Sequence, residues 1–281
     1  MQFKHSVDKY IKEIGIEDVG HASIRELVKL VTQVEADTGE QFIRMEMGIP
    51  GLNPSEIGVK AEIEALNKGV ASIYPSIEGI PELKKEASRF ARLFLDIEIS
   101  PSSIVPSVGS MQGGCAAFMI CSKRYKDKPK TLFIDPGFPV QKMQHKALGI
   151  PFETFDVYEH RGDRLKNKIE SYLKAGDVST IIYSNPNNPS WICFNESELQ
   201  IIGELANKYN VVVIEDLAYF GMDFRADYSV PGTPPYQPTV AKYTSNYILL
   251  ISSSKVFSYA GQRLGLVLIS DQLFNTDFAN L

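Results

Sequence analysis

Residues 247–269 place a lysine and an arginine beside a serine-rich turn between two apolar runs. Lys255 follows three serines at the end of the first run, and Arg263 stands directly before the second run. Because short apolar runs bounded by polar residues are typical of buried strands, both cations are predicted at the mouth of a sheet. Burial and a neighbouring like charge lower the pKa of an amine from about 10.4, and a neutral amine attacks carbonyls. The pattern favours Schiff-base formation with an aldehyde cofactor, with the serines and Arg263 binding an anion such as phosphate.

The residues alone allow two other interpretations of Lys255, and they offer a further motif that could bind phosphate. Lys255 could be an ordinary solvated lysine. The serines and Lys255 also fit the S-x-x-K pattern of penicillin-recognising serine enzymes, but the tyrosine motif at 183–185 precedes it and no Lys-Thr-Gly occurs. A glycine-containing turn at 109–114 follows the apolar run 104–108 and suits either phosphate binding at a helix N-terminus or simple tight packing.

Polar residues follow two further apolar runs. Residues 184–190 include two Asn-Pro pairs and offer amide donors, or form a plain turn. Glu215 and Asp216 follow the run 211–214, with Tyr219 three residues later. A carboxylate at the end of a buried strand needs a cationic or hydrogen-bonded partner, such as a pyridinium nitrogen, unless it is a solvated helix cap.

The apolar runs from residue 104 onward alternate with helical segments and predict a mainly parallel sheet covered on both faces. The predicted strands are 104–108, 131–134, 151–155, 180–183, 211–214, 247–251 and 264–269. The last two are joined too tightly for a crossover and are predicted to be antiparallel. Upstream, helices are predicted at 8–14, after a capping box at Ser23, at 55–67 and from Pro81 to about Leu95. The proline-rich residues 225–240 are predicted to be irregular, as a surface loop or an active-site flap.

Composition excludes several classes of protein. The 281 residues carry a net charge of -5 and no long basic cluster, which argues against nucleic acid as the main partner. No signal peptide or membrane span is predicted, and the four histidines show no metal-ligand spacing. The three cysteines form no C-x-x-C pair and are predicted to be buried free thiols in a cytoplasmic protein.

In this order, the motifs resemble those of the fold-type I pyridoxal-phosphate aminotransferases of class I/II, the group that includes aspartate and aromatic aminotransferases. The most specific shared parts are Ser-Ser-Ser-Lys with an arginine eight residues on, Asn-Asn-Pro-Ser and Asp-x-x-Tyr. The resemblance runs from about Met47 to the end. It implies an α/β fold with a three-layer α/β/α large domain, a mostly parallel seven-stranded sheet and part of a smaller α/β domain. Residues 1–46 would belong to the small domain and 47–281 to the large pyridoxal-phosphate-binding domain.

The resemblance also implies roles for individual residues. Lys255 would form the Schiff base and move a proton as general acid/base, and Asp216 would keep the pyridine nitrogen protonated. Tyr219 and Asn188 would hydrogen-bond the phenolic oxygen, and Gly48 and Asn188 would contact substrate. The other implied cofactor-binding residues are Gly109, Ser110, Met111, Ser252 and Arg263 at the phosphate, Phe138 stacked on the ring, and Tyr74 reaching a phosphate in the neighbouring subunit of a homodimer.

The expected activity is amino-group exchange between an L-amino acid and a 2-oxo acid. The alternatives are β-elimination on the same cofactor and a non-catalytic cofactor-binding regulatory domain, for whose DNA-binding module residues 1–46 are too short and too acidic. Two departures from the family pattern stand out. Trp191 replaces a flexible glycine, and the arginine that clamps the substrate carboxylate in the family would follow Leu281, so the sequence is expected to be a fragment or to differ in function.

Overall fold

The computed structural model describes residues 2–49 and 51–278, and the chain divides into two compact units at residues 50 and 51. The first unit contains α1 (Gln2–Ile14) and α2 (Ile24–Thr38). Its small core consists of Leu30 and Val34 of α2 and Ile16, which follows α1. The predicted capping box is confirmed, because the Ser23 side chain accepts from the Glu26 N–H and the Glu26 carboxylate accepts from the Ser23 N–H. The predicted 46/47 domain boundary, and the assignment of this unit to a small domain, stay predictions.

Helix α1 begins six residues before its predicted start at Asp8, and this correction has a physical cause. Ser6 is buried, and its hydroxyl donates to the Asp37 carboxylate on α2. Phe3 stacks on Phe42, with ring centroids 5.8 Å apart. Tertiary contacts therefore stabilise a first turn whose polar residues show no apolar periodicity.

The second unit contains the predicted seven-stranded sheet. Its strands are β1 (Ile104–Val108), β2 (Lys130–Asp135), β3 (Phe152–Asp156), β4 (Val178–Ser184), β5 (Val212–Leu217), β6 (Tyr247–Ser252) and β7 (Leu264–Ile269). They are arranged in the order β1-β7-β6-β5-β4-β2-β3. The pairs within β6-β5-β4-β2-β3 are parallel, and β7 is antiparallel to both β6 and β1. The predicted antiparallel pairing of the last two strands is confirmed, and the carboxyl ends of β1 to β6 share one edge of the sheet.

Helices cover both faces of this sheet, as the three-layer prediction requires. Those of the second unit are α3 (Glu56–Asn67), α4 (Pro81–Leu95), α5 (Gly109–Arg124), α6 (Pro139–Leu148), α7 (Asp163–Leu173) and α8 (Glu196–Tyr209). Residues of α4, α7 and α8 share a core with Ile181 on one face of β4, while α5 shares a core with Ile182 on the other. Both isoleucines are fully buried, and each such side chain contributes about 2 kcal/mol. Pro81 is the first residue of α4, as predicted.

The proline-rich loop 225–240 is irregular as predicted, and hydrogen bonds anchor it to the end of α4 and to β5. The N–H groups of Gly232 and Gln237 donate to the carbonyls of Leu93 and Phe94 at the end of α4, at 2.8 and 3.0 Å. The Thr239 hydroxyl donates to Glu215 at 2.6 Å. These contacts favour the anchored surface loop over the predicted flap.

Candidate active site

A cavity of about 220 Å³ lies at the carboxyl edge of the sheet, where β4, β5 and β6 end and α5 begins. Parallel α/β sheets bind ligands at this edge. The cavity brings together most of the side chains predicted from the sequence. Its lining residues are Ser110, Met111, Gly114, Phe138, Gln141, Gln144, Ser184, Asn188, Asp216, Ala218, Tyr219, Ser252, Ser254, Lys255, Ala260 and Arg263.

Lys255 lies in the turn between β6 and β7, with its Nζ 5.7 Å from the centroid of the Tyr219 ring. Burial lowers the pKa of the Lys255 amine below its ordinary value, and the charge of Arg263 lowers it further. Both causes are those expected from the sequence. The lowered pKa increases the fraction of neutral amine, which is the nucleophilic form.

One end of the cavity can hold an anion. The first turn of α5 supplies the N-terminal positions Ser110 and Met111, where unpaired N–H groups and the helix dipole favour negative charge. The Ser252 hydroxyl donates to Ser254 Oγ at 3.0 Å, and Arg263 Nη1 lies 3.4 Å from the same Ser254 oxygen. Hydroxyls, N–H groups and a guanidinium are donors that bind phosphate, and we call this group of residues the anion cradle.

Close contact between β7 and the start of α5 holds this cradle together. A Cβ atom on Gly265 would lie 2.5 Å from the Gly109 carbonyl carbon and 2.7 Å from the Ser110 nitrogen. Both atoms belong to the backbone, so no change of rotamer can relieve the overlap. Gly109 itself has a φ of 73° and packs beneath the Arg263 guanidinium. Gly109 therefore contacts Arg263 beside the cradle, but it does not line the cavity.

We expect the substitution Gly265→Ala to destabilise the protein by about 1–3 kcal/mol, the usual cost of overpacking, and to weaken phosphate binding about tenfold by displacing α5. Urea unfolding and titration with pyridoxal phosphate measure the two effects. Gly261→Ala is the matched control, because its Cβ meets nothing within 4 Å and its φ is not positive. Equal behaviour of the two variants would contradict the packing argument.

Asp216 lines the cavity from β5, and its side chain is buried. Its Oδ2 accepts from the Gln141 side-chain amide at 2.8 Å, and its Oδ1 accepts from the Ala218 N–H at 3.0 Å. Burial raises the pKa of the Asp216 carboxyl to about 6, and the two hydrogen bonds oppose that rise. Both donors are neutral, so a cationic ligand group would stabilise the ionised form further.

Glu215 is the buried neighbour of Asp216 on β5, and it faces the other side of the sheet. Its carboxylate accepts from the Thr239 hydroxyl at 2.6 Å, the Val240 N–H at 3.0 Å and the Asn185 amide at 3.2 Å. Burial raises its pKa to about 7. Glu215 thereby joins the end of loop 225–240 to the segment that carries Asn188.

The pKa of Glu215 predicts a pH-dependent contribution to stability. Its folded value, about 7, exceeds the ordinary 4.5, so the folded state holds the proton more tightly. The stability that the folded state gains from holding this proton is fully present below pH 4.5 and is lost as pH rises through 7. Between pH 5.5 and pH 8, the free energy of unfolding of Glu215→Gln should rise by about 2 kcal/mol relative to that of the wild type. Denaturant unfolding at the two pH values measures the difference, and a pH-independent difference would show that Glu215 titrates normally.

The segment after β4 positions Asn188 at the cavity wall. The Ser184 hydroxyl accepts from the Asn188 N–H at 3.2 Å and from the Asn187 side-chain amide at 3.1 Å. The same Asn187 amide donates to the Pro136 carbonyl at 2.7 Å. Tyr219 lines the cavity nearby. Burial raises the pKa of its phenol, and the charge of Asp216 raises it further. The predicted pair of Asn188 and Tyr219 is thus assembled beside Lys255.

Besides Gly109, two predicted site residues do not line this cavity. Tyr74 lies between α3 and α4 with its side chain 98% exposed, and it does not line the cavity. Gly48 belongs to the first unit. Their roles at a neighbouring subunit and at the substrate stay predictions.

Sequence reasoning missed several lining residues, above all Gln141 and Gln144 on α6. Gln141 bonds Asp216, and the Gln144 side-chain amide donates to the Met111 carbonyl at 3.2 Å. Their signal in the sequence was their place three residues apart on a helix that follows the carboxyl end of β2. Phe138, directly before α6, was the predicted member of this group.

The cysteine prediction needs correction, since Cys121 is buried but Cys115 and Cys193 are partly exposed. Cys115 lies six residues before Cys121 on α5, a rotation of about 240° away from the sheet-facing side. Burial raises the pKa of the Cys121 thiol to about 12. Among residues 2–49 and 51–278 there is no group of three His, Cys, Asp or Glu side chains placed to hold a metal. Within the same ranges, no helix has the length and apolar character needed to cross a membrane.

The comparison with known families agrees with the fold and the cavity. The family model for aminotransferase class I and II matches residues 41–276. The chain therefore belongs to the class I and II aminotransferase family.

Individual relatives are distant. A probable aspartate aminotransferase of Methanocaldococcus jannaschii is 23% identical over 257 residues, covering 92% of this chain and 63% of the relative. An LL-diaminopimelate aminotransferase of Natranaerobius thermophilus is 27% identical over 252 residues, covering 86% and 61%. The crystal structure of an aminotransferase from Mycobacterium tuberculosis superposes with a TM-score of 0.76 at 20% identity, covering 90% of this chain and 62% of that one. The chain thus spans a little over three fifths of the length of these proteins.

Proposed function

We propose that this chain takes part in pyridoxal-phosphate-dependent transfer of an amino group between an L-amino acid and a 2-oxo acid. The observation that carries the proposal is the convergence of three groups on one cavity: the Lys255 amine, the Asp216 carboxylate and the anion cradle with Arg263. Family membership supports the same activity.

The residues present fit pyridoxal phosphate. Asp216 is a buried carboxylate with a raised pKa and neutral hydrogen-bond donors, which suits a pyridinium nitrogen. Ser110, Met111, Ser252 and Arg263 would hold the phosphate, and Phe138 would lie against the ring. When bound, the cofactor supplies an electron sink for the carbanion that forms at the substrate Cα.

The chain's own groups would manage the protons. The lowered pKa of Lys255 leaves its Nζ partly neutral, so this atom can attack an aldehyde and later accept and return a proton as general acid/base. Asp216, ionised beside a cation, would hold the ring proton in place. The Tyr219 hydroxyl and the Asn188 amide would bind the cofactor's phenolic oxygen, and Gly48 with Asn188 would contact substrate.

We further propose that the protein acts as a cytoplasmic homodimer. Support comes from apolar side chains exposed along and after α3, including Ile57, Ile73 and Ile77. Exposed apolar side chains are typical of interaction sites, and a second copy would cover these. The exposed Tyr74 belongs to the same stretch and would reach the neighbouring cavity. Light scattering coupled to gel filtration measures the mass in solution.

The experiment that tests the function combines a spectrum with a substrate panel. Mixing the protein with pyridoxal phosphate should produce an absorption band that depends on Lys255. Amino acids together with 2-oxoglutarate should then yield glutamate and the matching 2-oxo acid. Release of ammonia would point to elimination instead, a band without any product would point to a non-catalytic binding domain, and no band would end the proposal.

A further inference from the structure

Two glutamines on α6 line the cavity, and the proposed chemistry uses neither of them. Gln141 and Gln144 are three residues apart, so they lie on the same face of the helix. Gln141 is buried and Gln144 is partly exposed. A glutamine amide does not titrate, so each of them contributes through its hydrogen bonds.

Gln141 acts on Asp216. Its Nε2 donates to Asp216 Oδ2 at 2.8 Å, while the Ala218 N–H donates to Oδ1 at 3.0 Å. A donor on each oxygen fixes the orientation of the carboxylate. Hydrogen bonds to the ionised form favour it, so Gln141 opposes the effect of burial on this carboxyl.

Gln144 acts on the anion cradle. Its side-chain amide donates to the Met111 carbonyl at 3.2 Å. Met111 lies in the first turn of α5, which supplies the N-terminal positions of the cradle. One face of α6 is therefore bonded to Asp216 through Gln141 and to the cradle through Gln144.

Helix α6 is itself fixed to its neighbours by His145, which is one turn after Gln141 and fully buried. The His145 Nδ1 donates to the Gln141 carbonyl at 2.9 Å, and its Nε2 lies 3.0 Å from the Thr131 hydroxyl on β2. The Phe118 ring of α5 packs on the imidazole, with centroids 4.4 Å apart. Both glutamines thus project from a helix that β2 and α5 hold in place.

Resting on the proposed function, we infer that Gln141 and Gln144 are positioning residues through which α6 braces Asp216 against the anion cradle. Gln141 holds the Asp216 carboxylate ionised and oriented for a ring cation, and Gln144 holds the first turn of α5 for a phosphate. Hydrogen bonds from such supporting residues keep binding groups within the narrow tolerance that a ligand requires. The brace suits the cavity to ligands that carry both a cationic ring and a phosphate.

The test compares two ligands by calorimetric titration of the full chain without cofactor. Pyridoxamine phosphate has the ring and the phosphate but no aldehyde to condense with Lys255, and inorganic phosphate has the anion alone. Gln141→Leu should bind pyridoxamine phosphate about tenfold more weakly, because it loses a hydrogen bond to a charged group. It should bind inorganic phosphate as wild type does. Gln144→Leu should bind both ligands about threefold more weakly, the effect of losing one neutral hydrogen bond.

The pH profile distinguishes positioning from a general loss of structure. Wild-type affinity for pyridoxamine phosphate should rise with pH as the Asp216 carboxyl, with its pKa of about 6, ionises in the free protein. Removing a donor to the ionised form raises that pKa, so the rise in Gln141→Leu should occur about one pH unit higher. Both proteins share the ligand's own titration and the other titratable groups on the elements around Asp216, which include His145, Glu215, Tyr219, Lys255 and Arg263.

Gln200→Leu is the matched control, since Gln200 is exposed on α8 and donates to Glu204 at 2.8 Å. It should change neither affinity. Gln141→Glu keeps the size of the side chain but sets a second carboxyl beside Asp216, so it should weaken pyridoxamine phosphate binding at least as much as Gln141→Leu. Wild-type affinities in folded Gln141→Leu, or an equal loss of inorganic phosphate binding, would overturn the inference. If wild type forms the Lys255-dependent band and the variants fail to respond, this inference fails alone; a missing band is the failure of the proposed function.

Discussion

Replacing Lys255 with alanine is expected to remove the absorption band formed with pyridoxal phosphate and to lower turnover by at least about 10³-fold. Lys255 is the part-buried amine at the cavity whose pKa is lowered by burial and by Arg263. Alanine offers neither a nucleophile nor a proton carrier. Because both functions are lost together, a higher concentration of the amino-acid substrate should not restore turnover.

The same variant should still bind the phosphate end of the cofactor. Ser110, Ser252 and Arg263 are unchanged in it, and the anion cradle does not depend on the amine. Equilibrium dialysis measures retention, which we expect to fall far less than turnover. Lys166→Ala, at an exposed position on α7, is the matched control and should behave as wild type. A Lys255→Ala protein with an unaltered band would show that another amine forms the adduct.

Local sequence patterns predicted the central strands well, because β5 begins with Val212, Val213 and Ile214 and β6 begins with five consecutive apolar residues. Ile181 and Ile182 are adjacent yet both fully buried, which requires helices on both faces of the sheet. The order of the strands was not predictable in the same way. Pairing of β1 with β7 joins Ile104 to Leu268, far apart along the chain, and no turn fixes that register.

The residues of the candidate site also differ in how far the sequence alone predicts them. Asp216 lies near the carboxyl end of β5, and Lys255 and Asn188 lie three and four residues past the ends of β6 and β4. The rule that parallel strands end at one edge therefore brought them together. Gln141 escaped prediction because a neutral glutamine on a helix has no distinctive chemistry until its partner is known. Its significance appears only through the 2.8 Å bond to Asp216, which is 75 residues away in sequence.

Replacing Asp216 with asparagine should lower turnover by about 10²–10³-fold while leaving the Lys255-dependent band in place. Breaking a buried ion pair costs about 3–5 kcal/mol, and each 1.36 kcal/mol at the transition state is tenfold in rate. Asparagine preserves the size of the side chain but cannot keep a pyridinium proton by charge. The burial of Asp216 makes this effect large, because solvent does not compensate for the lost carboxylate.

Glu215→Gln is the matched control, since Glu215 is the preceding residue, is also buried and also has a raised pKa. Its carboxylate contacts Thr239, Val240 and Asn185 on the other side of the sheet, so its charge does not face the cavity. We therefore expect its turnover to stay within a few-fold of wild type at neutral pH. Losses of similar size in the two variants would mean that general destabilisation of β5, and not the charge at Asp216, accounts for the effect.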